Sequence, residues 1–101
     1  MHVYVVTAAR MGPQGFPVAL KMGIANSATN QWIEQPREVE AHEVASLLRD
    51  GDTVVTAFAN HVRLVGGGPS LKVLELSNGE ETVQLDGEPA EGQRLTDLPG
   101  F

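Results

Sequence analysis

The stretch from Val39 to Asp52, VEAHEVASLLRDGD, predicts one short amphipathic helix, and the rest of the chain is best understood around it. Val44, Leu47 and Leu48 are spaced i, i+3 and i+4. This spacing places all three on one stripe of a helix with 3.6 residues per turn. We therefore predict a helix from about Ala41 to Asp50, with this stripe facing the core.

Both ends of the predicted helix carry recognised signals. Glu40 is the expected cap of the first turn, and Glu43 three residues later completes a weak capping box. Arg49 lies in the last turn, where a cation meets the negative end of the helix. Gly51 follows and can take the left-handed conformation that ends a helix.

Three strands are predicted before the helix, and the first two lie within residues 3–24. Residues 3–9 are largely apolar at both alternating sets of positions, which is typical of a strand that is covered on both faces and lies inside a sheet. Residues 11–15 are a cluster of breakers and predict a loop. Residues 16–24 then alternate cleanly, and the apolar set expected to face the core is Val18, Leu20, Met22 and Ile24.

The segment Asn26–Glu34 is more ambiguous. Residues 26–30 are of the types that favour a turn, and residues 31–34 are predicted to be the returning strand of a hairpin. A helix capped by Ser27 or Asn26 is the alternative, although Asn and Thr are poor helix residues and no apolar stripe forms. Pro36 is predicted to end this segment.

A meander is predicted after the helix. Residues 53–59 indicate a buried strand, Asn60-His61 a tight turn, and residues 62–65 a returning strand. Gly66–Pro69 predicts either a loop or a bulge in one long bent strand. The next two strands flank Asn78-Gly79, which favours a two-residue type I′ turn. That turn sets Leu74 opposite Val83.

The whole order predicts a single small α+β domain over residues 1–101. Its fold is a mostly antiparallel sheet of about five to seven strands, with one short amphipathic helix packed on it. Residues 87–101 show no periodicity and predict an irregular acidic tail, packed onto the sheet by Leu95, Leu98 and Phe101.

Composition excludes several classes of protein. The chain contains no cysteine, which rules out disulfides and thiol chemistry. No apolar run approaches the ~18 residues of a membrane helix, and no signal peptide is recognisable, so we expect a soluble cytoplasmic protein without a membrane partner. The net charge of −6 and the scattered basic residues argue against nucleic acid.

No catalytic or metal site is readable from the sequence, and no cofactor is predicted. The candidate contact residues for a ligand or partner are Trp32, His42, His61 and Arg63. Trp32, the sole tryptophan, lies among polar residues and is a candidate aromatic anchor. His42 lies among acids at the start of the helix, and His61 lies at a predicted hairpin tip.

Three functional hypotheses follow from these residues. The first is a binding or assembly module that associates with itself or with another protein, through a sheet edge or the Trp32 hairpin. The second is a small enzyme or small-molecule-binding domain, whose site forms only in the fold from His42, His61, Arg63 and Glu75. The third is a regulator that binds a basic protein through the seven acids between Glu75 and Asp97.

The chain also resembles a family of short uncharacterised bacterial proteins, a domain of unknown function. The resemblance rests on an opening strand at Val3–Arg10, a helix followed by Gly51-Asp52, and the pattern Leu95-Thr96-Asp97-Leu98-Pro99 near the end. The segment Val83–Asp86 departs from the family pattern. The resemblance implies the α+β fold and no particular activity.

Overall fold

The computed structural model describes residues 2–13, 15–57, 69–87 and 94–101. In chain order, the described elements are β1 (His2–Met11), β2 (Pro17–Asn26), β3 (Gln31–Glu40), α1 (Ala41–Arg49), β4 (Val54–Thr56), β5 (Leu71–Glu75), β6 (Glu81–Leu85) and a 3₁₀ turn (Leu95–Asp97). The chain is therefore mixed α and β and mostly sheet, with one α-helix among the described residues.

The described strands form two sheets, whereas the sequence predicted one. The larger sheet has the order β3-β2-β1-β4, in which β1 runs antiparallel to β2 and parallel to β4. The smaller sheet is the antiparallel β5–β6 hairpin. A single bridge between Val55 and Ser70 joins β4 to the start of the hairpin. The interior position predicted for β1 is confirmed, with Val5 and Val6 both fully buried.

Helix α1 packs between the hairpin and the larger sheet. Its predicted ends are confirmed: the Glu40 N–H donates to Glu43 Oε2 at 3.4 Å, and Gly51 has a φ of +92°. The main core lies under the helix, where Val44 and Leu20 are fully buried. This arrangement closes one face of the larger sheet and positions the start of α1 beside the start of β2.

Trp32 packs against a smaller apolar cluster, whose buried members are Val5, Ala25 and Val55. These residues alternate with those of the main core along their strands, so the cluster lies on the other face of the larger sheet. Trp32 itself is only partly buried. The predicted returning strand at 31–34 is confirmed, and the helical alternative for Asn26–Glu34 is wrong.

The prediction that Pro36 ends its segment is wrong, because β3 continues through it to Glu40. β3 is an edge strand of the larger sheet, where a residue without an N–H is tolerated. The pairing with β2 also shifts here, from Met22–Arg37 to Ile24–Glu34. Pro36 therefore lies in a β-bulge, where the pairing of the two strands is already interrupted.

The register predicted for the second hairpin is also wrong. Val73, and not Leu74, lies opposite Val83. The loop has three residues instead of two, since the Leu76 N–H donates to Glu80 O at 2.8 Å and the Gly79 N–H to Leu76 O at 3.0 Å. Only Gly79 has a positive φ there, at +86°, whereas a type I′ turn requires two such residues.

The tail crosses the sheet beside β1. Leu98 is buried, and Leu95 packs against the main core. The Ala9 N–H donates to Pro99 O at 3.0 Å, and Arg10 lies over the Phe101 ring at 4.6 Å from its centre. These contacts hold residues 94–101 on the sheet.

The predicted turn at Asn60-His61 and the returning strand at 62–65 lie outside the described residues. Within the described part, no helix has the length and apolar character needed to cross a membrane.

Candidate functional site

A cleft of about 540 Å³ opens between the β1–β2 loop, the start of α1 and the β5–β6 hairpin. Ligand pockets in proteins commonly have volumes of roughly 300–1,000 Å³. The cleft is lined by apolar and polar side chains from all three elements, and its lining residues are Gly12, Pro13, Phe16, Pro17, Val18, Ala41, His42, Leu76, Asn78, Glu80, Glu81 and Thr82. Its size and composition make it the candidate binding site.

Two exposed apolar side chains border this cleft. Phe16 is 37% exposed and Val18 is 49% exposed, whereas Pro17 between them is buried. In the described part of the chain, Ile33 is the only other large apolar residue with comparable exposure. Two of the three exposed large apolar side chains among the described residues therefore border the same cleft.

A bulge explains why Val18 is exposed. β1 and β2 pair at Arg10–Ala19 and again at Met11–Pro17, which leaves Val18 without a partner on β1. Bulges bend a strand and redirect a side chain, and they are common beside functional sites. The sequence alternation placed Val18 with the core residue Leu20, and this expectation is wrong because alternation does not reveal a bulge.

Gly12 makes room for Val18. A Cβ atom built on Gly12 would lie 2.7 Å from Val18 Cγ1, well inside the contact distance. The loop is held tightly, because the Gly12 N–H donates to Phe16 O at 2.7 Å and the Gly15 N–H donates to Gly12 O at 3.1 Å. The Phe16 backbone therefore has a defined place at the mouth of the cleft.

A buried hydrogen bond joins the two sides of the cleft. Thr82 on β6 is 3% exposed, and its hydroxyl donates to the Pro17 carbonyl at 2.6 Å. Thr82, Pro17 and Ala41 are the buried lining residues and form the floor. The hydrogen bond therefore fixes the hairpin relative to β2, which sets the width of the cleft.

Thr82→Val should lower the free energy of unfolding by about 1–2 kcal/mol, because the substitution keeps the side-chain shape and removes a buried hydrogen bond. Urea unfolding measures the effect. Thr29→Val is the matched control, since Thr29 is exposed in the β2–β3 turn and should change stability by less than about 0.5 kcal/mol. Equal stability of Thr82→Val and the wild type would contradict the structural role of this bond.

Ionisable groups stand at the rim of the cleft. The His42 Nδ1 atom lies 3.1 Å from Glu40 Oε2, and both side chains are about two-thirds exposed. Glu81 forms an ion pair with Arg49 of α1. Glu80 also lines the cleft and is exposed, and no basic side chain of the described residues pairs with its carboxylate.

The residues singled out from the sequence are distributed over the molecule. His42 lines the cleft, Trp32 lies in the cluster on the far face of the sheet, and Glu75 is exposed on β5 opposite Glu81. His61 and Arg63 lie outside the described residues. The described structure thus brings His42 into the cleft and leaves Trp32 and Glu75 out of its lining.

Phe16 and Val18 were missed as site residues, because exposed apolar side chains have no signature in a single sequence. The breaker cluster before Phe16 was the available signal, since loops held by a rigid scaffold often carry binding residues. Among the described residues, no group of three or more His, Asp or Glu side chains is arranged to hold a metal ion.

The arrangement at the cleft is suited to binding an apolar group beside a charged rim. Comparison with known proteins gives no further guide: no protein-family model matches the chain, and neither a curated protein nor a solved structure matches it.

Proposed function

We propose that this protein is a binding module that holds an apolar side chain of a partner protein in the cleft bordered by Phe16 and Val18. The observation that carries the proposal is the meeting of these two exposed apolar residues at one concave site. Scattered apolar residues on a surface need no explanation, but clustered ones mark interaction sites.

Phe16 is suited to contribute much of the binding energy as an aromatic contact at the cleft. Binding energy at protein interfaces is concentrated in a few residues that fill pockets near the centre of the interface. Phe16 has about a third of its surface still available for burial, and Pro17, Ala41 and Thr82 provide a floor that is already packed. A partner side chain that enters the cleft therefore gains contacts without reorganising the core.

A partner could bind either at the cleft or along the outer edge of β3, and the features of that edge favour the cleft. Pro36 interrupts that edge, two register shifts distort it, and Glu34, Arg37 and Glu38 are exposed along it. Proline, bulges and charges are the devices by which natural proteins keep edge strands from pairing. A partner, including a second copy of this chain, is therefore proposed to bind at the cleft.

A peptide selection tests the proposal. Peptides selected from a random display library on the immobilised protein should bind the wild type and Ile33→Ser equally, and should bind Phe16→Ser at least about tenfold more weakly, the equivalent of 1.4 kcal/mol. Val18→Ser is a second cleft variant and should also weaken binding. Isothermal titration calorimetry measures each affinity.

Ile33→Ser is the matched control because Ile33 is 46% exposed and lies on β3, outside the lining of the cleft. Thermal unfolding of each variant establishes that it is folded before affinities are compared. Selected peptides that bind both cleft variants as tightly as the wild type would refute the proposal, and so would a selection that enriches no peptide.

A small-molecule site is the second candidate function, and the volume of the cleft together with the His42 side chain favours it. A thermal-shift screen against nucleotides and common metabolites separates the two functions. A ligand at 100 times its dissociation constant adds about 2.7 kcal/mol to stability. Such a shift, abolished by His42→Ala, would favour the small-molecule function over the protein-binding one.

A further inference from the structure

We infer that the segment bound in the cleft is cationic, with a Lys or Arg side chain next to the apolar side chain that enters it. This inference rests on the proposed function, because it names the chemistry of the partner at the same site. It depends on the charges that line the cleft and on which of them are already neutralised.

Glu80 supplies the charge that is available to a partner. Glu80 lines the cleft and is exposed, and its carboxylate forms no ion pair with the described basic residues. Its backbone is held in place, since the Glu80 N–H donates to Asn78 Oδ1 at 3.0 Å and the Glu80 carbonyl accepts from Leu76. The Glu80 side chain thus extends from a backbone position that the turn fixes.

Neighbouring charges strengthen the negative field at this rim. The described hairpin from Leu71 to Asp86 carries four acids and one lysine, Lys72. Glu75 and Glu81 lie directly opposite each other, and Arg49 pairs with Glu81. Arg49 therefore offsets the charge of Glu81, and Glu75, Glu80 and Asp86 form no ion pair with the described basic residues, so an incoming cation should gain attraction at Glu80.

The other side of the cleft disfavours an anion. A helix start usually attracts anions through its free N–H groups and its dipole. Here Glu40 occupies the N-cap position of α1, with its carboxylate 3.1 Å from His42 Nδ1. Glu43 lies in the first turn, and its side chain accepts a hydrogen bond from the Glu40 N–H. These carboxylates offset the positive end of the helix, so the α1 side of the cleft, lined by Ala41 and His42, gives an anion no helix-dipole advantage.

Three short peptides of equal apolar content test the inference: acetyl-Lys-Leu-Lys-amide, acetyl-Ser-Leu-Ser-amide and acetyl-Glu-Leu-Glu-amide. Each is titrated into the ¹⁵N-labelled protein at low ionic strength, and the shifts of the Gly12, Val18 and Leu76 amides are followed. The basic peptide should bind roughly five- to tenfold more tightly than the neutral one, and the acidic peptide should bind most weakly. Raising the salt concentration should reduce the basic preference, because exposed charges are screened.

Glu80→Gln should reduce the preference for the basic peptide over the neutral peptide roughly three- to fivefold. Glu34→Gln is the matched control: it removes the same charge from an exposed position on β3 and should keep the preference. Equal binding of the basic and neutral peptides to the wild type would overturn the cationic inference while the proposed function stands. If none of the three peptides shifts the amides at the cleft, both the cationic inference and the proposed function would be overturned.

Discussion

Leu20→Ala should lower the free energy of unfolding by about 2–5 kcal/mol, which is the largest loss we expect from a single truncation among the residues that the structure describes. Leu20 lies in the middle of β2 and is fully buried among the residues that α1 covers. Truncation removes the transfer free energy of the side chain and also leaves a cavity that close-packed neighbours fill only in part.

Equilibrium unfolding in guanidinium chloride measures this loss. Domains of this size are commonly stable by about 5–15 kcal/mol, so the variant should retain its fold with a clearly lower midpoint. Val18→Ala is the control on the same strand, because its side chain is half exposed, and its cost should stay below about 1 kcal/mol. Equal midpoints for Leu20→Ala and Val18→Ala would contradict the core described above.

Gly23→Ala should cost about 1–3 kcal/mol, although it adds only one methyl group. A Cβ atom on Gly23 would lie 2.6 Å from the Glu34 carbonyl oxygen, 2.9 Å from the Pro36 nitrogen and 2.7 Å from Trp32 Cζ3. Two of these three atoms belong to the backbone of β3. The strand must therefore move outward at its bulge before the methyl group fits.

Two further variants make this prediction specific. Gly100→Ala should be nearly neutral, because nothing lies within 4 Å of the added atom. Trp32→Leu combined with Gly23→Ala should not restore stability, since the backbone contacts with Glu34 and Pro36 remain. The fluorescence of Trp32 should also shift in Gly23→Ala. Full stability of Gly23→Ala, with unchanged fluorescence, would show that β2 and β3 do not approach as closely as described.

Local signals in the sequence predicted the elements well. The stripe at Val44 gave the buried face of α1, Glu40 and Gly51 gave its ends, and apolar residues on both sets of positions placed β1 inside a sheet. Each of these features depends on residues that are close together in the sequence. Periodicity and capping are therefore sufficient to predict them.

The features that depend on tertiary context were not predictable in the same way. Whether Pro36 ends a strand depends on whether that strand lies at a sheet edge, which its own residues do not reveal. Asn78-Gly79 fits both a two-residue and a three-residue loop, and the choice shifts every pairing of the hairpin by one position. Local turn chemistry alone did not decide between them.

The candidate site was predicted only in part. His42 was identified from its polar surroundings, but the residues that make the cleft apolar, Phe16 and Val18, were assigned to a strand and its core face. Their exposure follows from a bulge and from the position of the β5–β6 hairpin relative to β2. The bulge depends on pairing across the β1–β2 hairpin, and the position of the β5–β6 hairpin depends on contacts between segments more than 60 residues apart. Periodicity within one segment carries no information about either.

The most direct test of the proposed binding site is to map where a minimal apolar probe binds. N-acetyl-leucine amide is titrated into the ¹⁵N-labelled protein, and amide and indole shifts are followed. We predict saturable shifts at Gly12, Val18, Ala41 and Leu76 in the wild type, and their loss in Phe16→Ser. Shifts confined to the Trp32 indole and the amides of residues 31–34, with none at the cleft, would contradict the account and place the binding surface on the β2–β3 hairpin instead.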